Sequence, residues 1–282
     1  MDHIYISSLA MMNKPLEEMI HIAKERNWAL EFSSGIPFRK DAESLYLDAT
    51  IDRIPHNYFP APEVPFVLNL ASANYKIRRQ SIEHCKNGLW LAKKSNAPFF
   101  SAHAGFCIDP DPRELGKKIN FDIIVNKEEN KTLFLKSVIE ILQQADLFGV
   151  DFLIENNVIA SFNLTNQKGN PLLCCESKEI RWLFEEIKHK RLGLLLDTAH
   201  LKVSCKTLEL DLIEEYNNIS NLIRGLHHSD NDGLVDDNRH MLNDYWFLPY
   251  LKDVTDKVQV IEVKNIDNET IQQQVNLLVN GY

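Results

Sequence analysis

Glycine is scarce in this chain. There are ten in 282 residues, and no two are separated by a single residue. That spacing excludes a G-x-G-x-x-G dinucleotide loop, a Walker-type phosphate loop and a G-x-S-x-G nucleophile elbow, all of which need closely set glycines. Cysteine is also sparse. Five residues, at positions 85, 107, 174, 175 and 205, make an odd number with no C-x-x-C. This fits unpaired thiols in a reducing, cytoplasmic setting better than a disulfide framework or a zinc ribbon, and the adjacent Cys174-Cys175 pair reads as two thiols in a loop. No apolar run approaches the roughly 20 residues needed to cross a bilayer, so no membrane association is expected. The opening Met1-Asp2-His3 lacks a basic start followed by an apolar stretch, so a cleaved secretion signal is not expected. Basic excess is missing too: 31 basic against 40 acidic residues give a net charge of −9. Such a chain lacks the electrostatic footprint of a non-specific nucleic-acid binder.

What is present is alternation. Short apolar runs at residues 4–8, 29–33, 65–71, 98–103, 151–156, 192–197, 223–228 and 258–263 read as strands. Between them, apolar residues recur at helical spacing. Leu16, Met19, Ile20 and Ala23 form one stripe after the start signals Asn13 and Pro15. Leu135, Val138, Ile139, Leu142 and Ala145 form another, and Ile271, Val275, Leu278 and Val279 a last one. The second repeat, residues 37–62, is the weakest. Although about 150 residues per domain would allow two domains, no linker is readable. Eight strand–helix units over residues 1–282 imply a parallel sheet with right-handed crossovers, and the predicted architecture is a single-domain α/β fold, a (β/α)8 TIM barrel. An open doubly wound sheet is the alternative. The long connections, 104–130, 157–177 and 229–243, all follow strands, which puts the spare residues on the face where such barrels carry chemistry.

Polar groups end most of the predicted strands. Glu31 lies near the end of the second, Asn69 ends the third and His103 the fourth. Glu155 ends the fifth, Asp197 with His200 the sixth, His227 the seventh and Glu262 the eighth. Ionisable groups are costly in an apolar wall unless paired or bound to metal, so their recurrence at equivalent positions is a pattern. Glu155, Asp197, His227 and Glu262 supply three carboxylates and one imidazole, a donor set suited to one divalent ion, Mn²⁺, Mg²⁺, Co²⁺ or Zn²⁺. Because successive strand residues face opposite sides, only one of His227 and His228 can join that set.

The run Leu195-Leu196-Asp197-Thr198-Ala199-His200 resembles the D-x-x-H segment of the xylose-isomerase-like barrel superfamily. So do Leu153-Ile154-Glu155-Asn156-Asn157, His227-His228-Ser229-Asp230-Asn231 and Val260-Ile261-Glu262-Val263-Lys264. Asn69-Leu70-Ala71-Ser72 with Arg78 and Ser81, and Phe100-Ser101-Ala102-His103-Ala104-Gly105, look like its third- and fourth-strand signatures. The resemblance spans about residues 4–265, a superfamily holding sugar isomerases and epimerases, inosose dehydratases and endonuclease IV. It implies that Glu155, Asp197, His227 and Glu262 are metal ligands, with His227 rather than His228 in place through its spacing to Asp230. It implies a substrate-oxygen or zinc role for His200, and further zinc-ligand positions at His103 and His240. Two positions depart from endonuclease IV. Where that enzyme has a histidine six residues before the third-strand asparagine, this chain has Glu63, and its Asp-Arg-His reads Asn238-Arg239-His240 here.

The expected activity is a divalent-metal-dependent isomerase or epimerase acting on a sugar, sugar phosphate or other sugar derivative through a metal-stabilised enediolate. Glu155 and Glu262 are the candidate base and acid. His200, His103, Asn69, Lys264, Arg239 and His240 are the candidate substrate-binding residues, with Lys264 or Arg239 placed to meet a phosphate or carboxylate. The partner is then a small-molecule sugar, and self-association into a homo-oligomer stays open. Two other readings are a zinc phosphoesterase on abasic DNA and a non-catalytic barrel.

Overall fold

Eight short parallel strands form one sheet: β1 Ile4–Ser7, β2 Ala29–Phe32, β3 Arg53–Pro55, β4 Phe99–His103, β5 Asp151–Glu155, β6 Leu192–Asp197, β7 Ile223–His228 and β8 Val258–Ile261. The computed structural model describes residues 4–33, 35–164 and 169–281. The strands pair in the order β3-β2-β1-β8-β7-β6-β5-β4. The two edges meet where His56 bridges Ser101 in parallel, with the Asn57 amide donating to the Ser101 carbonyl at 2.8 Å. Around this barrel run α1 Leu16–Arg26, α2 Ala42–Asp48, α3 Tyr75–Ser95, α4 Lys127–Phe148, α5 Ser177–Glu186, α6 Thr198–Leu208, α7 Leu212–Ile219 and α8 Asn268–Asn280. The expected (β/α)8 TIM barrel is the observed fold. Between β7 and β8 the described helical structure is a short 3-10 segment, Leu248–Asp253.

One strand differs from the sequence expectation. The third is Arg53–Pro55, inside the weak second repeat, and not residues 65–71. Proline lacks an amide donor and depresses the strand signal of Arg53-Ile54-Pro55, while a buried apolar loop imitates a strand in hydropathy. Residues 67–71 are indeed buried, but as irregular chain between β3 and α3. Asn69 therefore does not end a strand. Its carboxamide organises that chain instead: the oxygen accepts from the Ala71 and Phe106 amides at 3.0 and 2.9 Å. Its nitrogen donates to the Ile108 carbonyl and to Asp109, each at 2.8 Å. A smaller correction concerns α4, which turns Phe134, Val138, Ile141 and Leu142 inward and leaves Ile139 46% exposed.

The strands alternate sides as the pleat requires. Phe100 and Phe152 point out to the helices and stack at 6.2 Å between ring centroids. The side chains at the other parity fill the barrel, where Gly225 leaves room for Phe99, Leu153 and Leu195. At the N-terminal ends of the strands, Asp151 pairs with Arg224 and Arg191 at 2.6 and 3.2 Å. The ionisable side chains gathered at the opposite ends are carboxylates and imidazoles.

Packing between α3 and β4 leaves no space for one more methyl group. A Cβ on Gly88 would lie 2.3–2.5 Å from the Phe100 ring, which is fully buried. Alanine would gain about 1 kcal/mol in helix propensity, but overpacking costs about 1–3 kcal/mol. We predict that Gly88→Ala lowers the unfolding free energy by up to about 2 kcal/mol in denaturant titration, whereas an unchanged or raised midpoint would show that the contact relaxes freely.

Candidate metal centre

The barrel's C-terminal face gathers side chains from seven of its eight strands or the residue just after them. β2 contributes Glu31, β3 is followed by His56, β4 ends in His103 and β5 in Glu155. β6 ends in Asp197, β7 carries His227, and Glu262 follows β8. Register aligns them: His103 lies opposite Glu155 and Asp197 opposite His227. Glu262 is held beside β7 by its amide, which donates to the His228 carbonyl at 2.9 Å.

Four of the expected residues converge. Glu155, Asp197, His227 and Glu262 each offer one ligand atom, and these atoms lie within 4.8 Å of one another. His227 Nδ1 is 2.9 Å from Glu262 Oε2, 3.3 Å from Glu155 Oε1 and 3.9 Å from Asp197 Oδ2. Two of these groups have their other polar atom already committed. His227 Nε2 sits 2.8 Å from Glu31 Oε2. With Nε2–H donating to that carboxylate, Nδ1 presents its lone pair to the cluster. Asp197 caps α6, accepting from the His200 amide through Oδ1 at 2.8 Å. Its own backbone is clamped by Asn156, whose Oδ1 accepts from the Asp197 amide at 2.8 Å.

What is left over fits a cation. Asp197 Oδ2, Glu155 Oε2 and His227 Nδ1 are buried without a hydrogen-bond partner among the described residues. Buried orphan acceptors are rare and costly, and a hard or borderline divalent ion is the group that would satisfy Asp197 Oδ2 and His227 Nδ1 together, while Glu155 Oε2 faces His56 and His103 at 3.3 and 3.4 Å. The electrostatics agree. Burial works against charge on Glu155, yet His103, His227 and His56 hold its carboxyl well below the usual range. Burial, with the carboxylates of Asp236, Glu262 and Glu155, raises Asp197 well above the usual range despite His200. Burial also opposes charge on His227, but Glu262, Glu31 and Glu155 raise its pKa well above that of free imidazole. These carboxylates cannot all ionise side by side without positive charge between them. The residues present thus fit a divalent metal, whose identity the donor set does not select.

The adjacent His228 turns the other way. Its Nδ1 meets the Tyr245 hydroxyl at 2.9 Å and its Nε2 the Gln259 carboxamide oxygen at 3.1 Å. Burial pushes its pKa down to about 3, so it is a neutral core residue.

His56 was not among the expected site residues. Its Nε2 lies 3.3 Å from Glu155 Oε2, its Nδ1 is held by Ser101 at 2.8 Å, and it forms a further candidate ligand triad with His103 and Glu155. His56 thus brings a histidine beside Glu155 from thirteen residues before Asn69, whereas the position six residues before it is Glu63. Its signal was legible only once Arg53–Pro55 was placed as a strand, four residues after α2.

The remaining candidates divide. His103, whose pKa burial lowers to about 4, stands 3.4 Å from Glu155 and opens to a cavity. His200 reaches the same cavity, with Nδ1 on the Asn156 carbonyl at 2.9 Å and Nε2 on Asp236 at 3.2 Å. Arg239 is exposed and paired with Asp237, and His240 and Lys264 are exposed. These three and Asn69 do not line the cavity. Cys174 and Cys175 are buried, and burial pushes both thiols up, away from reactivity. No helix among the described residues is long and apolar enough to cross a membrane.

Comparison with known proteins gives a family and a fold. A family model described as the xylose isomerase-like TIM barrel matches residues 35–278. No curated protein matches by sequence. Among solved structures, a D-tagatose 3-epimerase-like protein superposes with a TM-score of 0.71 at 19% identity, over 99% of this chain and 96% of that one. The IOLI protein with a bound zinc atom gives 0.69 at 13%, over 99% and 97%. Endonuclease IV from Thermus thermophilus gives 0.58 at 14%, over 99% and 98%. At such identities the likeness is one of fold.

A graded substitution series checks the centre. Asp197→Asn keeps the helix cap but removes an anionic ligand, and we predict loss of bound metal together with the metal-dependent rise in thermal midpoint, since ligation is linked to folding. Glu31→Gln, which removes the carboxylate beside His227 Nε2, should weaken metal affinity by about 10–100-fold. Wild-type metal content in Asp197→Asn would contradict the assignment.

Proposed function

The chain belongs to the xylose isomerase-like TIM barrel family, and on that premise we propose that it is a divalent-metal-dependent isomerase or epimerase of a sugar or sugar derivative. The observation that carries this reading is the pair of glutamates approaching one point from different strands. Glu155 and Glu262 lie 3.3 and 2.9 Å from the same His227 nitrogen. Bound there by Glu155, Asp197, His227 and Glu262, a divalent ion would supply Lewis acidity, polarising a substrate carbonyl and offsetting the charge that develops on its oxygen.

The chain's own groups would then move the proton. A carbon-bound proton next to a carbonyl leaves to one carboxylate and returns from the same one in an isomerisation, or from a second one on the opposite face in an epimerisation. Glu155 and Glu262 are disposed for either. They differ in access to water: the Glu155 side chain is 1% exposed and that of Glu262 is 13% exposed. Glu262 is thus the group through which a captured proton would exchange with solvent. His103 would hydrogen-bond a substrate oxygen from the cavity wall. His200 would do so through Nε2, the nitrogen that now meets Asp236.

A zinc phosphoesterase acting on abasic DNA has one observation in its favour, the further candidate triad of His56, His103 and Glu155 beside the four-residue set. Against it stand the net charge of −9 and a cavity whose described lining has no lysine or arginine.

The two chemistries break different bonds, and isotope exchange separates them. Incubated in deuterium oxide with a divalent metal and a panel of sugars and sugar derivatives, the protein should place deuterium on carbon in its substrate. Glu155→Gln and Glu262→Gln should each lower kcat by about 10²–10⁴ when metal occupancy is matched. Unchanged turnover in fully loaded Glu262→Gln would remove that residue from the acid–base role. Incision of abasic DNA with no carbon exchange across the panel would replace the proposal with the phosphoesterase.

A further inference from the structure

The cavity over the metal centre is not built for a bare sugar. It encloses about 680 Å³ and reaches the centre at His103 and His200. Its wall carries Phe38, Tyr58, Phe66, Phe106 and Phe162, with prolines and aliphatic side chains between them. A sugar bears a hydroxyl on nearly every carbon, and each hydroxyl buried against such a wall would lose a hydrogen bond to water without replacement.

The apolar wall has its own scaffold. Val67, Phe106, Ile119, Ile159, Leu172 and Cys175 form a second hydrophobic cluster apart from the main core. An antiparallel bridge between Phe106 and Leu172 joins the connections that follow β4 and β5. Two of the three asparagines that line the cavity turn their polar atoms into this scaffold. Asn157 donates its amide group to the Ala104 and Leu173 carbonyls, each at 2.9 Å. Asn163 accepts from the Ile119 amide at 2.8 Å and donates to the Lys117 carbonyl at 3.0 Å. The long connections thus use these polar groups to hold an apolar surface in place.

That surface faces open space. Phe38, Phe162 and Val235 are 42%, 37% and 38% exposed, yet all three line the cavity. Large apolar side chains gathered around a preformed hollow mark a ligand site. Charge narrows the ligand further. The described lining includes Glu63 and Asp236 and has no lysine or arginine, so a phosphate or carboxylate placed away from the metal centre would meet like charge with no lysine or arginine to pair it.

We propose that the substrate is an uncharged sugar that keeps a carbonyl and is joined to an apolar aryl group, with its carbonyl and hydroxyls at the metal centre and the aryl group among the cavity aromatics. This rests on the isomerase or epimerase reading and names its substrate class. Aromatic side chains hold a flat ring by offset or edge contacts, which accounts for five of them around one hollow.

The test compares matched ligands on the metal-loaded full chain by titration calorimetry: the phenyl glycoside, methyl glycoside and 6-phosphate of each of several hexoses, with phenyl and methyl pentosides beside them. The expected result is that for at least one sugar the phenyl glycoside binds about tenfold or more tighter than its methyl partner, and that the phosphates bind no better than the methyl compounds. In Phe38→Ser/Phe162→Ser that preference should fall to about twofold or less, with metal content and thermal midpoint unchanged. Equal binding of phenyl and methyl partners for every sugar, or tighter binding of any phosphate, overturns the proposal. Carbon exchange on free sugars without an aryl preference would overturn it while leaving the isomerase reading in place. The glycosides are acetals with no carbonyl beside a carbon-bound proton and so report binding alone; an aryl preference among them with no carbon exchange on any free sugar or aryl-substituted keto-sugar would support the cavity assignment and count against the isomerase reading.

Discussion

Three carboxylates and an imidazole within 4.8 Å of one another, all but one of them fully buried, set the terms for the rest of this molecule. Burying one ionised carboxylate is expensive, and burying three together is tolerable only with compensating positive charge. The protein prepares for that charge rather than avoiding it. Glu31 orients His227, Asn156 and the α6 cap orient Asp197, and the histidines around Glu155 favour its ionised form. The Glu31 contact and the helix cap each occupy the half of a ligand that faces away from the cluster.

The closed barrel makes such a cluster attainable. Parallel strands deliver one side chain each to the same end, and strict alternation decides which of two neighbours arrives. His227 and His228 illustrate this: one lies among carboxylates with its pKa raised, the other is neutral against Tyr245 and Gln259. The strands thereby fix the chemistry, while the long connections after β3, β4 and β5 build the hollow above it. On the proposed reading, chemistry and recognition are carried by different parts of the chain.

Much of this was legible before any coordinates. The apolar runs of β5 and β6 are continuous and end in ionisable residues, so their strand character and their candidate ligands could be read directly, while β7 is interrupted by Arg224. The third strand could not. Arg53-Ile54-Pro55 is too short and too proline-marked to stand out, whereas residues 65–71 imitate a strand because most of them are buried. That single misplacement hid His56 and gave Asn69 a strand-end position in place of its work inside a loop. The apolar cavity was also hidden, because Phe38, Phe106 and Phe162 lie far apart in sequence and meet only in the folded chain. Arg239, His240 and Lys264 match family positions in sequence, yet all three stand outside the cavity.

The central claim is that Glu155, Asp197, His227 and Glu262 share one divalent ion. It is tested most directly by crystals grown with Mn²⁺ and measured near the manganese absorption edge. The account predicts an anomalous difference peak at coordination distance, about 2.0–2.3 Å, from an atom of each of the four residues. A peak confined to His56 and His103, or no peak on the barrel's C-terminal face, would contradict it.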